Sequence, residues 1–312
     1  METELTSWVA PHPKHYAVAT SVAVIYPLLS YFLIGYKPEQ LLLVMIFISF
    51  YLATPVTRKF ILGFSIFIVF WVIFDYMKAF PNYHYQQVHI KSLYDAELWV
   101  FGISQDTQTL TPNEYWAQHN SVFLDVVSGL FYLCWVPVPL AFAGFLFYRN
   151  RPLFLRFSLT FLLVNLIGFV CYYLYPAAPP WYVQHYGFDF IAGTPGNTAG
   201  LSRFDEFFGI HLFHSMYAKS SNVFAAMPSL HSAYPLIVLY YGWKAKLGTR
   251  NILFAVIVMG IWFAAVYTGH HYVLDVLAGI TCASCGIALF NWLSKNNASF
   301  KRFLNQYTKV IS

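Results

Sequence analysis

Two histidines hold the reactive chemistry of this chain. His231 sits in Ala-Ala-Met-Pro-Ser-Leu-His-Ser, and His271 follows forty residues later in Gly-His-His-Tyr-Val-Leu-Asp, which ends at Asp275. His271 and Asp275 are four residues apart, so on a helix they share a face one turn apart, where a carboxylate can accept from one ring nitrogen and leave the other unprotonated. A neutral, aimed imidazole is a competent nucleophile toward phosphorus, and a covalent intermediate divides one hard displacement into two easier ones. His231 supplies the complementary need, giving a proton to a departing alkoxide and then taking one from an incoming hydroxyl. Pro228 and Ser229 before it form a helix-start signature, with Ser229 a candidate cap and the first-turn amides a cradle for phosphoryl oxygens. His270 points about 100° away from His271 on a helix, which suits it better to lining the pocket than to sharing the nucleophile's task. Each histidine alone also has an ordinary reading, as an interfacial side chain or a structural hydrogen bond; the two motifs together carry the catalytic one.

The rest of the chain is membrane-like. Of its 312 residues 58% are hydrophobic and only 10% charged, too few to surface a water-soluble domain of this length. Apolar runs long enough to cross about 30 Å of hydrocarbon recur at about 17–36, 40–56, 60–80, 121–147, 153–175, 231–243, 251–268 and 271–294, the second and sixth short. The expected fold is an all-α, polytopic transmembrane bundle of about six to eight spans. Residues 1–80 form N-terminal helices, 81–120 an interfacial loop on the membrane surface, 121–294 the catalytic core and 295–312 a tail. The first run has no small-residue cleavage site and is expected to be a retained helix. Of the 18 Lys and Arg residues, thirteen fall on one side of this arrangement, among them Arg149, Arg151, Arg156, Lys244, Lys295 and Lys301. The positive-inside rule makes that side cytoplasmic, with both termini there and loops 81–120 and 176–229 facing out. The net charge of +5 is then a topology signal and not a nucleic-acid footprint.

This topology puts Tyr-Pro-Ala-Ala-Pro-Pro-Trp-Tyr (175–182), His231 and His271 at the outward ends of their helices. Asp125 and Asp75 lie in apolar surroundings at similar depth, and intramembrane carboxylates usually face a polar cavity. Each is a candidate contact for a polar headgroup, with pairing to a neighbouring helix, or to Lys78 for Asp75, as the alternative. Loop 176–229 is long enough to be a lid. Trp181, Tyr182 and Tyr186 suit the headgroup zone, and Arg203 and Lys219 are its only cations, available to a phosphate or to an interfacial lipid. Cys282 and Cys285 have the spacing of a helix-packing seam. No metal site, P-loop or dinucleotide fingerprint occurs, and no cofactor is expected.

With these residues the chain resembles the superfamily of type 2 phosphatidic acid phosphatases and lipid phosphotransferases, whose motifs are Pro-Ser-Gly-His and a later His-x-x-x-Asp preceded by Ser-Arg. Leu230 stands in place of the glycine, and Ala264 and Ala265 in place of Ser-Arg. The first basic motif, Lys-x6-Arg-Pro, is absent: Arg151-Pro152 imitates its end, with Gly144 at the lysine position. A phosphate monoester bears about −1.5 to −2 charge and wants several cationic donors, so these losses suit a singly charged diester. The departures, with Pro-Ala-Ala-Pro-Pro-Trp-Tyr, His-His-Tyr-x-x-Asp and Asp125 in Phe-Leu-Asp-Val-Val-Ser-Gly, resemble the inositol phosphorylceramide synthases of fungi and their shorter bacterial relatives, over roughly residues 70–290. The resemblance implies a six-helix phosphatase-like core and transfer of phosphoinositol from phosphatidylinositol to ceramide, releasing diacylglycerol. It also implies His271 as nucleophile, Asp275 as its orienter and His231 as acid then base. A lipid phosphate phosphatase, a transferase of another diester headgroup and a lipid carrier that keeps the fold are the rival readings.

Overall fold

The computed structural model describes residues 12–218 and 222–312, so Lys219 lies outside the described residues. The chain divides into two compact units, one of Met1–Ala79 with Arg302–Ser312 and one of Phe80–Lys301. Six helices among the described residues are long and apolar enough to cross a membrane, which makes the chain an integral membrane protein. The expected second and sixth runs form helices of 16 and 15 residues, shorter than a straight crossing needs.

The first unit is built on α1 (Pro13–Ile34), α2 (Pro38–Ala53) and α3 (Pro55–Tyr76). Each opens on a proline, which fits a first turn whose N–H groups have no intrahelical partner. Thr54 caps α3 by accepting from the Thr57 amide at 3.1 Å. Ala19, Tyr51 and Ile61 form its buried cluster. Asp75 is taken up inside this unit by Lys78 at 2.9 Å and Lys37 at 3.7 Å. The expected headgroup contact is therefore replaced by ion pairing, the alternative its neighbours allowed.

The second unit begins with the segment expected to rest on the membrane surface. It is folded, as α4 (Lys91–Phe101), a hairpin of β1 (Ile103–Gln105) and β2 (Gln108–Leu110), and α5 (Pro112–Gln118). This hairpin is the only sheet among the described residues. The helical core follows as α6 (Val122–Leu133), α7 (Pro137–Arg149) and α8 (Arg151–Leu174), then the short helices α9 (Pro180–Tyr186), α10 (Ser202–Phe208) and α11 (Leu212–Tyr217) of the expected lid segment, then α12 (Leu230–Lys244), α13 (Asn251–Tyr267) and α14 (Val273–Asn296). The expected span 121–147 is one of the six, Val122–Arg149, with a turn between α6 and α7 where Pro137 and Pro139 lack the donors to continue the ladder. Helix α12 is central, packed by α7, α8, α13 and α14. Residues 295–312 are mostly the helix α15 (Ala298–Ile311), whose Tyr307 donates to the Leu62 carbonyl at 2.7 Å in the first unit.

Two glycines set how closely the site helices approach. A β-carbon on Gly279 of α14 would collide with the Ser229 carbonyl at the start of α12. One on Gly168 of α8 would lie 2.7 Å from Leu230. Leu230, where the phosphatase motif has glycine, is buried against the space Gly168 leaves open. The motif departure is thus a packing exchange between two helices.

Candidate active site

The start of α12 and the start of α14 meet, because the Ser229 amide donates to the Asp275 carbonyl at 2.9 Å. That contact carries His231, on the first turn of α12, to the loop before α14. His231 Nδ1 lies 3.1 Å from His271 Nε2, with His271 only 6% exposed. Two histidines forty residues apart in sequence therefore share one hydrogen bond. Ser229 does not cap α12 with its side chain; its hydroxyl is buried and accepts from Ser232 at 3.1 Å, so the expected capping role falls to neither.

His271 is held from several sides. Its Nδ1 faces Asp275 Oδ2 at 3.6 Å, just beyond hydrogen-bond range, while the same carboxylate oxygen accepts from the Tyr272 amide at 2.8 Å. Asp275 thus closes the first turn of α14 and stands opposite the imidazole at once. The remaining free amides of that turn, Val273 and Leu274, donate to Glu97 at 2.9 and 3.1 Å. Asn113 donates to the His271 carbonyl at 2.9 Å and to the Val266 carbonyl at 2.8 Å, tying the histidine loop to the end of α13. Burial pushes the His271 ring down to about 4, opposed by the Ala226 carbonyl. Burial thus favours the neutral ring. Glu97, fully buried, is pushed up to about 7 by desolvation, against the two amides it accepts from.

His231 is held by Tyr132, whose hydroxyl is 3.0 Å from Nδ1 and itself accepts from Tyr217 at 3.2 Å. Trp135 meets the His231 ring edge-on at 4.5 Å. His270 turns away from this pair, with Nδ1 3.1 Å from the Thr268 hydroxyl, its ring against Tyr217, and its Nε2 buried without a partner. Burial, and then the two neighbouring histidines, hold His270 well below the usual imidazole range.

Asp125 and Arg203 form a pair, Nε to Oδ1 at 2.6 Å, and Tyr267 donates to the same oxygen at 2.8 Å. Oδ1 so occupied fixes Arg203, which leaves Oδ2 as the oxygen of this carboxylate outside the pair. Arg203 keeps Nη2 buried and unpartnered, in the space beside Gly200 where the Thr268 backbone also lies. The unpaired buried atoms Arg203 Nη2, His270 Nε2, His271 Nδ1 and Asp275 Oδ1 all belong to the residues around the 268–275 turn. Most buried polar groups are satisfied, so such a cluster marks a place built to meet a polar ligand.

Trp181 and Tyr182, expected in the headgroup zone, are instead buried, at 4% and 0% exposure, because the Pro-Ala-Ala-Pro-Pro run before them is woven into the fold. Ala177 bridges both His89 and Ala225, the Trp181 amide donates to the Gly269 carbonyl at 3.0 Å, and Tyr182 ties down the Asp189 carbonyl at 2.6 Å. They brace the histidine loop from behind. The aromatic side chains that face outward from this lid are Phe188, Phe190, Phe207 and Phe208. Tyr132, Glu97 and Asn113 are site residues that sequence reasoning missed; only Asn113 lay within a readable signal, the Thr111–Glu114 capping box.

An imidazole pair, His271 buried and His231 half-buried, stands beside a carboxylate among apolar helices, an arrangement that phosphoryl transfer can use. The chain belongs to the PAP2 superfamily, whose family model matches residues 103–289. It is 42% identical over 303 residues to the phosphoinositol dihydroceramide synthase of Bacteroides thetaiotaomicron, covering 96% of this chain and 99% of that protein. It is 29% identical over 174 residues to the inositol phosphorylceramide synthase of Candida albicans and 36% identical over 124 residues to the inositol phosphorylceramide synthase catalytic subunit of Saccharomyces cerevisiae. These matches cover 51% and 37% of this chain, and only 36% and 29% of the two fungal proteins. No solved structure matches the chain.

Proposed function

We propose that this chain transfers phosphoinositol from phosphatidylinositol to the primary hydroxyl of ceramide or dihydroceramide and releases diacylglycerol, through a phosphohistidine at His271. The carrying observation is the 3.1 Å approach of His231 Nδ1 to His271 Nε2 in a buried site. It is joined by near full-length similarity to the Bacteroides phosphoinositol dihydroceramide synthase.

In the first half, His271 Nε2 attacks phosphorus and the bond to diacylglycerol breaks as His231 protonates the departing oxygen. In the second, His231 takes the proton of the sphingolipid hydroxyl, whose oxygen attacks phosphorus and expels Nε2. An in-line displacement needs the nucleophile about 3 Å from phosphorus, a P–O bond beyond it and the acid a hydrogen bond further, about 7 Å in all between the two ring nitrogens. The rings must therefore part as the diester enters between them, with Tyr132 as the fixed partner His231 keeps. Arg203 Nη2 is the donor for a non-bridging oxygen. Because Asp125 already balances Arg203, the site has little excess positive charge, which suits a diester better than a monoester. Exposed Phe188, Phe190, Phe207 and Phe208 suit contact with acyl chains at the membrane surface.

The orientation reading is that the histidine end faces out and both termini face the cytoplasm, in a bacterial inner membrane. It rests on Arg149, Arg151, Lys244 and Lys295 lying at the helix ends away from the histidines. To test the function, purified protein is given phosphatidylinositol and dihydroceramide, or phosphatidic acid alone, and the products are read by mass spectrometry. Inositol phosphoryl-dihydroceramide from the first mixture supports the proposal. Inorganic phosphate from phosphatidic acid with no transfer product would favour the phosphatase reading.

A further inference from the structure

The end of the bundle away from the histidines holds an open cavity of about 410 Å³ between α8, α12 and α14, with Lys301 also lining it. Four cations line it: Arg156, Lys244, Lys295 and Lys301. Lys244 lies thirteen residues beyond His231 on α12, about 20 Å along the helix axis, so the cavity is separate from the active site. From Val126 to Phe188, from Phe207 to Leu274 and from Val276 to the last residue the sequence contains no Asp or Glu. The elements that line the cavity thus bring four positive charges together and no carboxylate to balance them.

Charge on this side of a membrane protein is expected from topology, but topology does not gather it around neutral donors. Here Arg156 Nη1 donates to the Ser294 hydroxyl at 3.2 Å, and Asn291 donates to the Tyr240 hydroxyl at 2.8 Å, which leaves the Tyr240 proton free to donate. Lys244 lies over the Tyr240 ring at 5.4 Å. Tyr241, 3% exposed, closes the floor by bonding the Arg156 carbonyl and Thr160. Beside the cavity, Trp243 and Trp292 are 65% and 58% exposed, as tryptophans are at the level of lipid headgroups. Gathered cations between transmembrane helices at that level are the general chemistry of anionic headgroup recognition.

We propose that this cavity binds the phosphate headgroup of an anionic phospholipid from the leaflet opposite the active site. Arg156 and the three lysines neutralise the phosphate, and Tyr240 and Asn291 meet its oxygens or the headgroup hydroxyls.

The test uses the purified full chain in a zwitterionic detergent, titrated with short-chain phosphatidylglycerol, with phosphatidylcholine of the same chain length, or with inorganic phosphate, following the thermal midpoint and bound mass by native mass spectrometry. Phosphatidylglycerol is expected to bind and raise the midpoint, and phosphatidylcholine and inorganic phosphate are not. In Lys244→Gln/Lys295→Gln the apparent Kd should rise roughly thirtyfold, and in Lys301→Gln, the variant less exposed to folding failure, about fivefold. His271→Ala should keep both the shift and its dependence on the lysines, so the outcome stands apart from the fate of the transferase proposal. An equal shift with phosphatidylcholine, a shift reproduced by inorganic phosphate, or unchanged affinity in both lysine variants would overturn the proposal.

Discussion

Replacing Asp275 by asparagine separates its two duties. Its Oδ2 accepts from the Tyr272 amide at 2.8 Å and faces His271 Nδ1 at 3.6 Å. An asparagine that keeps its oxygen on the Tyr272 amide keeps that same oxygen before the imidazole, so the first turn of α14 stays closed while the negative charge opposite Nδ1 is lost. Without that charge the tautomer with the proton on Nε2, the atom proposed to attack, is no longer disfavoured. In the serine-protease triad the same exchange costs about 10⁴ in kcat by imposing the wrong tautomer. Here the carboxylate stands slightly beyond hydrogen-bond range, so a smaller loss is expected, about 10² to 10³ in kcat, or about 3 to 4 kcal/mol of transition-state stabilisation. The assay is the initial rate of headgroup transfer from phosphatidylinositol to a fluorescent dihydroceramide, with the thermal midpoint as the control for folding. Asp275→Ala should lose a similar rate and, in addition, about 1 kcal/mol of stability through the lost cap. An asparagine variant that folds normally and works within threefold of the parent would refute the orienting role.

The same geometry sets three further outcomes. Tyr132→Phe removes the hydroxyl that holds His231 and should lower kcat about tenfold with KM little changed in steady-state kinetics, as expected for one neutral hydrogen bond that aims a general acid. Because the His271 ring is pushed down to about 4 and must be unprotonated to attack, the acid limb of kcat/KM should lie well below the ordinary histidine value of 6.5, and a limb at or above 6.5 would contradict the buried neutral nucleophile. Glu97 is pushed up to about 7 from 4.5, so between those values the unfolded chain has already lost a proton that the folded one keeps; stability contributed below pH 4.5 declines by up to about 3 kcal/mol as pH rises to 7. Glu97→Gln lacks this decline, so its deficit in thermal midpoint relative to the parent should shrink as pH rises across that window.

The apolar spans and the two histidine motifs are legible in the sequence because their signals are local: run length for the helices, and four-residue spacing for His271 and Asp275. The pairing partners are not. Glu97 reaches α14 from a helix 176 residues earlier, and Tyr132 reaches His231 across 99, so no window of sequence contains both ends of either contact. Trp181 and Tyr182 mislead for a different reason. In an apolar chain a Pro-Pro-Trp-Tyr run has the composition of a membrane interface, but Ala177 pairs on both sides and draws the aromatic pair after it into the interior. Asp75 and Asp125 are both costly carboxylates in need of a use, which is sound physics; each finds a cation, Lys78 for one and Arg203 for the other, and only Arg203 has an unpartnered buried donor left beside the histidine loop. The leucine in place of the motif glycine becomes intelligible only with Gly168 across from it.

Stereochemistry at phosphorus is the most direct test of transfer through His271. Phosphatidylinositol carrying a chiral phosphorothioate is converted to the sphingolipid product and the configuration of that product is determined. Two successive in-line displacements, on and off the imidazole, predict overall retention. Net inversion would mean a single direct displacement by the sphingolipid hydroxyl, and the nucleophilic role of His271 would be lost.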